Sequence, residues 1–95
     1  MANAELQGSW ARTIRYLAAC RYYLPEALPS AEATQASDEM THYIHHKEYG
    51  LALECAEDLG RLCEAPAEYW LELKLAADNM GLTNESRRYA QWAGI

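Results

Sequence analysis

The chain is 95 residues long, half of them apolar and none of them phenylalanine, and it carries a net charge of −6. That length supports a single domain with one modest core, and the negative charge disfavours nucleic acid as a direct partner. No run of eighteen apolar residues is present, and Glu5 stands where a signal peptide needs positive charge, so a cytoplasmic protein with no membrane segment is expected.

A first helix is predicted from about Ala4 to Leu24. Leu6, Trp10, Ile14, Leu17 and Leu24 recur at spacings of three, four and seven, and Pro25 stops the run. Arg21 projects from the same stripe, so its stem should be covered while its head reaches the rim or a carboxylate. Arg12, Arg15, Tyr16, Tyr22 and Tyr23 share the other side. The segment from Leu24 to Ser30 holds two prolines and reads as a bent connector, with Ser30 placed to cap a second helix that extends to about Lys47. In that helix Ala33, Ala36, Met40, Tyr43 and Ile44 face inward, and Asp38, Glu39 and His42 face outward.

A third helix follows almost at once, so the two should pack antiparallel. Ala52, Cys55, Ala56, Leu59, Leu62 and Cys63 fall on one side of it; Glu54, Glu57, Asp58, Arg61 and Glu64 fall on the other. Gly50 is expected where this helix approaches a neighbour or leaves the turn, so that Gly50→Leu should overpack the hairpin. Pro66 suits the first turn of a fourth helix, which Gly81 ends. Its core face is Tyr69, Trp70, Leu73, Ala76, Ala77 and Met80, but Leu71 and Leu75 lie on the far side among Glu68, Glu72 and Asp78. The first helix is expected to cover those leucines; exposure to a partner is the alternative. Thr83 is placed to cap a short fifth helix containing Arg87, Arg88, Tyr89 and Trp92.

These segments imply an all-α fold: a compact bundle of about five helices arranged as antiparallel helical hairpins in one domain spanning residues 1–95. The second and third helices are offset from the fourth and fifth by about thirty-four residues, the period of tetratricopeptide repeats, which suggests hairpins stacked side by side.

Candidate chemistry is sparse. Asp38, His42 and His46 share a helix face, but no further ligand accompanies them, and a helix-dipole role for the histidines is preferred to a metal site. Cys20, Cys55 and Cys63 form no CxxC pair and read as small buried hydrophobes in a reducing compartment. No phosphate loop or nucleophile motif is present, and the paired carboxylates lie on a solvated face where nothing raises a pKa, so neither enzymatic activity nor a cofactor is expected.

Arg12, Arg15 and Arg21 gather in the first third, whereas residues 48 to 78 carry eight acidic groups against Arg61 and Lys74. A basic protein surface is the natural counterpart of that acidic half. The stretch HYIHHKEYGLALE, followed by YWLELKLAADNMGL, resembles the small helical immunity proteins of bacterial polymorphic toxin systems, the MafI type in particular. The matching residues are Tyr43, Ile44, Glu48, Tyr49, Gly50, Leu51, Ala52, Leu53 and Glu54, then Leu73, Met80, Gly81 and Leu82, so the likeness covers roughly the last half of the chain. It implies an inhibitor that neutralises a cognate toxin domain, for which a nuclease with a basic substrate groove is the candidate; the chain itself is expected to be a monomer or weak homodimer. Charge and exposure assign the contact to Glu54, Glu57, Asp58, Glu64, Glu68 and Glu72, with Leu71 and Leu75 as apolar anchors. The alternatives are a tetratricopeptide-like adaptor that grips a peptide tail, and a phage-encoded acidic inhibitor that imitates nucleic acid.

Overall fold

Runs of helix-forming residues broken at Pro25, Pro66 and Gly81 produce helices of eleven to twenty residues. The computed structural model describes the backbone from Ala2 to Ile95 and the side chains from Gly8 onward, so the Leu6 side chain lies outside the described residues. Its elements are α1 (Ala2–Arg21), α2 (Ala31–His45), α3 (Tyr49–Leu62), α4 (Ala67–Asn79) and α5 (Thr83–Ala93), and no strand occurs among the described residues. The extensive contacts are α2 on α3, α4 on α5 and α1 on α4, with α3 touching α4 more lightly. The fold is therefore two helical hairpins side by side, with α1 laid against α4 and touching α3 more lightly.

Four helices end in the same way. Lys47, Glu64, Gly81 and Gly94 each take a positive φ, between 49° and 81°, just past a helix end. The next amide reaches back five residues: Glu48 to the Tyr43 carbonyl, Ala65 to Gly60, Leu82 to Ala77 and Ile95 to Ala90, each at 2.9 Å. This is the Schellman closure, which satisfies carbonyls the helix would otherwise leave orphaned. Lys47 and Gly81 stand thirty-four positions apart at the bends of the two hairpins, so the offset visible in the sequence marks a repeated local geometry.

Ser30 caps α2 as expected, its hydroxyl accepting from the Ala33 amide at 3.1 Å. Thr83 does not cap α5. It is the first helical residue, and no side chain caps that end. α1 stops at Arg21, one turn short of the expected Leu24; the Arg21 guanidinium donates to the carbonyls of Pro25 and Glu26 at 2.9 and 3.1 Å, holding the connector folded back. Arg21 thus meets backbone rather than a carboxylate.

The buried line of α1 is Thr13, Leu17 and Cys20, continued by Leu24 just past its end, which rotates the expected stripe and leaves Trp10 and Ile14 only half covered. Asn79 on α4 explains the rotation. Its amide donates to the Ser9 carbonyl at 2.6 Å and to the Thr13 hydroxyl at 2.7 Å, and its oxygen accepts from Arg12 at 3.3 Å. At the other end of the same antiparallel pair the Cys20 thiol donates to the Tyr69 carbonyl at 3.6 Å. Satisfying these buried polar groups outweighs covering Trp10 and Ile14. Leu62, expected inward on α3, is exposed, while Leu53 and Gly60 are buried in its place. Leu71 and Leu75 are exposed, so α1 does not cover them as expected.

Gly60, not Gly50, is the point of close approach. A Cβ on Gly60 would lie 2.5 Å from Tyr69 and 2.8 Å from Trp70, whereas one on Gly50 would meet nothing within 4 Å. The expected overpacking by Gly50→Leu is thereby overturned. Against Gly60 sits an aromatic group, Tyr69, Trp70, Tyr89 and Trp92, with neighbouring ring centroids 4.7 to 6.0 Å apart. Tyr69 donates its hydroxyl to the Ala56 carbonyl at 2.5 Å, which ties the second hairpin to α3.

Candidate functional site

α3 forms a ridge between two grooves. Its buried arc runs through Ala52, Leu53, Cys55, Ala56, Leu59 and Gly60, so the helical repeat turns Glu54, Asp58 and Arg61 outward. On one side, between α2 and α3, Glu32 and Glu39 face Asp58 and Arg61, with Ala36 and Leu62 in the wall. On the other, between α3 and α5, Glu54 and Asp58 face Glu85, with Leu51, Leu53 and Leu82 beneath. Asp58 lines both grooves. One acidic face therefore crosses α2, α3 and α5.

The field of this face registers on Cys55. Its thiol donates toward Glu39 at 4.0 Å, and its pKa is raised, first by burial and then by the carboxylates of Glu39, Asp58 and Glu54. The three cysteines are free, Cys20 and Cys55 buried and Cys63 half covered. Burial pushes the Cys20 and Cys63 thiols up as well, which keeps all three protonated and unreactive near neutrality.

Glu57 is not part of the outward face. Its side chain is 18% exposed and one oxygen accepts from the Arg88 guanidinium at 2.5 Å and from the Tyr89 hydroxyl at 2.8 Å. It latches α3 to α5. Both partners respond: hydrogen bonding to Glu57 raises the Arg88 pKa, and burial followed by that bond raises the Tyr89 pKa. The expectation that Glu57 and Asp58 both point away from the core holds for Asp58 alone, because Arg88, thirty-one positions away, is brought beneath Glu57 by the packing of the hairpins.

The remaining expected site residues lie elsewhere. Glu64 sits at the α3–α4 turn beside a third groove, with Arg61, Trp70 and Trp92. Trp92 is 37% exposed, and the guanidinium groups of Arg61 and Arg88 lie 5.8 and 5.7 Å from its ring. Glu68, Leu71 and Leu75 occupy the side of α4 opposite Tyr69, Trp70 and Leu73, which pack inward against α3 and α5. Glu72 is half exposed on the flank toward α1, where it acts on Cys20. The eight residues are thus not gathered on one face: only Glu54 and Asp58 stand on the α3 ridge, and the residues that complete that face are Glu32, Glu39 and Glu85. The seven-residue spacing of Glu32 and Glu39 along α2 was the available signal for two of them.

The rings of His42 and His46 lie 4.3 Å apart, tilted, on an exposed surface, and among the described residues no three metal-ligating side chains converge. No described helix is long and apolar enough to cross a membrane. Comparison of the chain with protein-family models, with curated proteins and with solved structures returned no match.

Proposed function

We propose that this protein is a small helical inhibitor of the immunity-protein kind, which binds and silences a basic toxin domain through the carboxylate face of α2, α3 and α5. The observation that carries the reading is Asp58 on its ridge, with Glu32 and Glu39 across one groove and Glu54 and Glu85 across the other. Such a field steers a cationic partner to rapid encounter, and apolar contacts at its centre slow dissociation. Of the residues that carry the resemblance to MafI-type proteins, Tyr43, Ile44 and Glu48 to Glu54 lie at the α2–α3 bend and in the first turns of α3, beside this face, while Leu73, Met80, Gly81 and Leu82 lie in α4 and the α4–α5 bend. Three protonated thiols without a disulfide fit a cytoplasmic site of action.

A second reading, an adaptor that grips a peptide tail, draws on the thirty-four-residue register of Lys47 and Gly81. Two hairpins offer such a tail only one groove, between α3 and α5.

Co-expression with a basic toxin domain, sought among the neighbouring genes, tests the proposal. Growth is expected to be restored, and association of the purified pair should slow as salt rises, since exposed charges are screened over about 10 Å at 0.1 M. Absence of protection, or an association rate indifferent to salt, would overturn the acidic-face reading.

A further inference from the structure

The groove between α3 and α5 is lined by three leucines, whereas its neighbour has Leu62 alone and carries Arg61 among its carboxylates. Leu51 is 42% exposed there, Leu82 is half buried, and Leu53 lies beneath them. Gly50 opens one end, with free space where its side chain would be. Around the floor stand Glu54, Asp58 and Glu85, and among the described residues none of the three has an ion-pair partner. Glu57, the fourth carboxylate of this groove, is already matched by Arg88. An exposed leucine ringed by unmatched carboxylates is complementary to an apolar side chain flanked by cations.

We infer that this groove receives a basic amphipathic helix of the protein partner. A trough between two helices accepts a third through anchors three and four positions apart. One apolar anchor rests on Leu51 and Leu82, and Lys or Arg residues a turn to either side reach Glu54 and Asp58 on one wall and Glu85 on the other. This rests on the acidic face being the partner surface, and narrows the contact to one groove and one class of segment.

Gly50→Leu is the discriminating variant, because it fills the groove, keeps every carboxylate, and places its Cβ against no atom of the fold. Leu51→Lys, at an exposed position, alters the same floor by charge. The isotopically labelled chain would be titrated by NMR with three short peptides: an amphipathic Leu/Lys helix, its Ser-for-Leu counterpart and its Glu-for-Lys counterpart. The Leu/Lys peptide is expected to shift the amides of Gly50, Leu51, Leu82 and Glu85 to saturation. Either variant, and either counterpart peptide, should weaken binding by about tenfold or more. If both folded variants bind the Leu/Lys peptide as the parent does, or if the Ser-for-Leu peptide binds equally well, the carboxylates act only as a diffuse field; the groove is then wrong while the acidic face stands. If neither lysine peptide binds, both fail together.

Discussion

The two hairpins share a topology and a bend geometry but are built from different chemistry. The α2–α3 hairpin has no aromatic ring in its buried set, which is Ala33, Ala36, Ala52, Cys55 and Ala56 with Met40, Leu53 and Leu59, and it carries long carboxylates on the outside. The α4–α5 hairpin packs through Tyr69, Trp70, Tyr89 and Trp92 and is tied outward by directed bonds, to α1 through Asn79 and to α3 through Tyr69 and the Glu57 latch. Within it, Asp78 accepts from Lys74 at 2.7 Å and from the Ser86 hydroxyl, and those bonds lower its pKa. One hairpin supplies the aromatic body of the protein and the other most of its exposed carboxylate face, to which α5 adds Glu85. Rigidity and surface charge, which compete when placed on one element, are separated between two.

Alkali should break the comparison most severely. Cys20, Tyr69 and Tyr89 are all raised in the folded protein, chiefly by burial. A folded-state pKa above the unfolded value stabilises below the unfolded value, and that contribution is lost as pH climbs toward the folded one. Unfolding free energy measured in urea is therefore expected to be level near neutrality and to fall from about pH 9 upward. All three groups lie in or against the α4–α5 body. Tyrosine fluorescence and absorbance should report their ionisation only as the chain unfolds.

Truncating the body comes next. Tyr69→Ala removes a fully buried ring and its bond to Ala56, and is expected to cost about 3–5 kcal/mol by denaturant titration. Gly60→Leu drives a side chain into Tyr69 and Trp70 and should cost about 1–3 kcal/mol, or more if the rings cannot move. The smallest effect is a gain. Lys47 occupies the left-handed conformation that Gly81 occupies in the other hairpin, so Lys47→Gly should raise the stability by about 0.5–1 kcal/mol. An unchanged or lower melting temperature would mean that the cation over Trp10, 5.9 Å from its ring centroid, outweighs the relief.

The helices were legible because their ends are written locally. Ser30, Pro66 and Gly81 act within one turn of where they stand, and the apolar arcs of α2 and α4 follow from spacing alone. What could not be read depended on residues far apart in the chain. Thr13 is buried because Asn79 awaits it sixty-six positions later, Gly60 is required because two rings of α4 press on it, and Glu57 is withdrawn from the surface by Arg88 and Tyr89. The same limit divided the candidate site. Acidic residues of α3 and α4 looked continuous along the sequence, yet α4 turns Glu68 and its leucines to the other side, while Glu32, Glu39 and Glu85 arrive from neighbouring helices.

The central claim is that the face of α3, rather than total negative charge, captures the partner. The direct measurement is the association rate with the basic toxin domain for two double reversals of equal charge change: Glu54→Lys with Asp58→Lys, and Glu68→Lys with Glu72→Lys. Glu57 is left intact in both so that the latch survives. The account predicts that the α3 pair slows association by about tenfold or more while the α4 pair stays within about twofold of the parent. Equal slowing by both pairs, or a greater loss from the α4 pair, would contradict it.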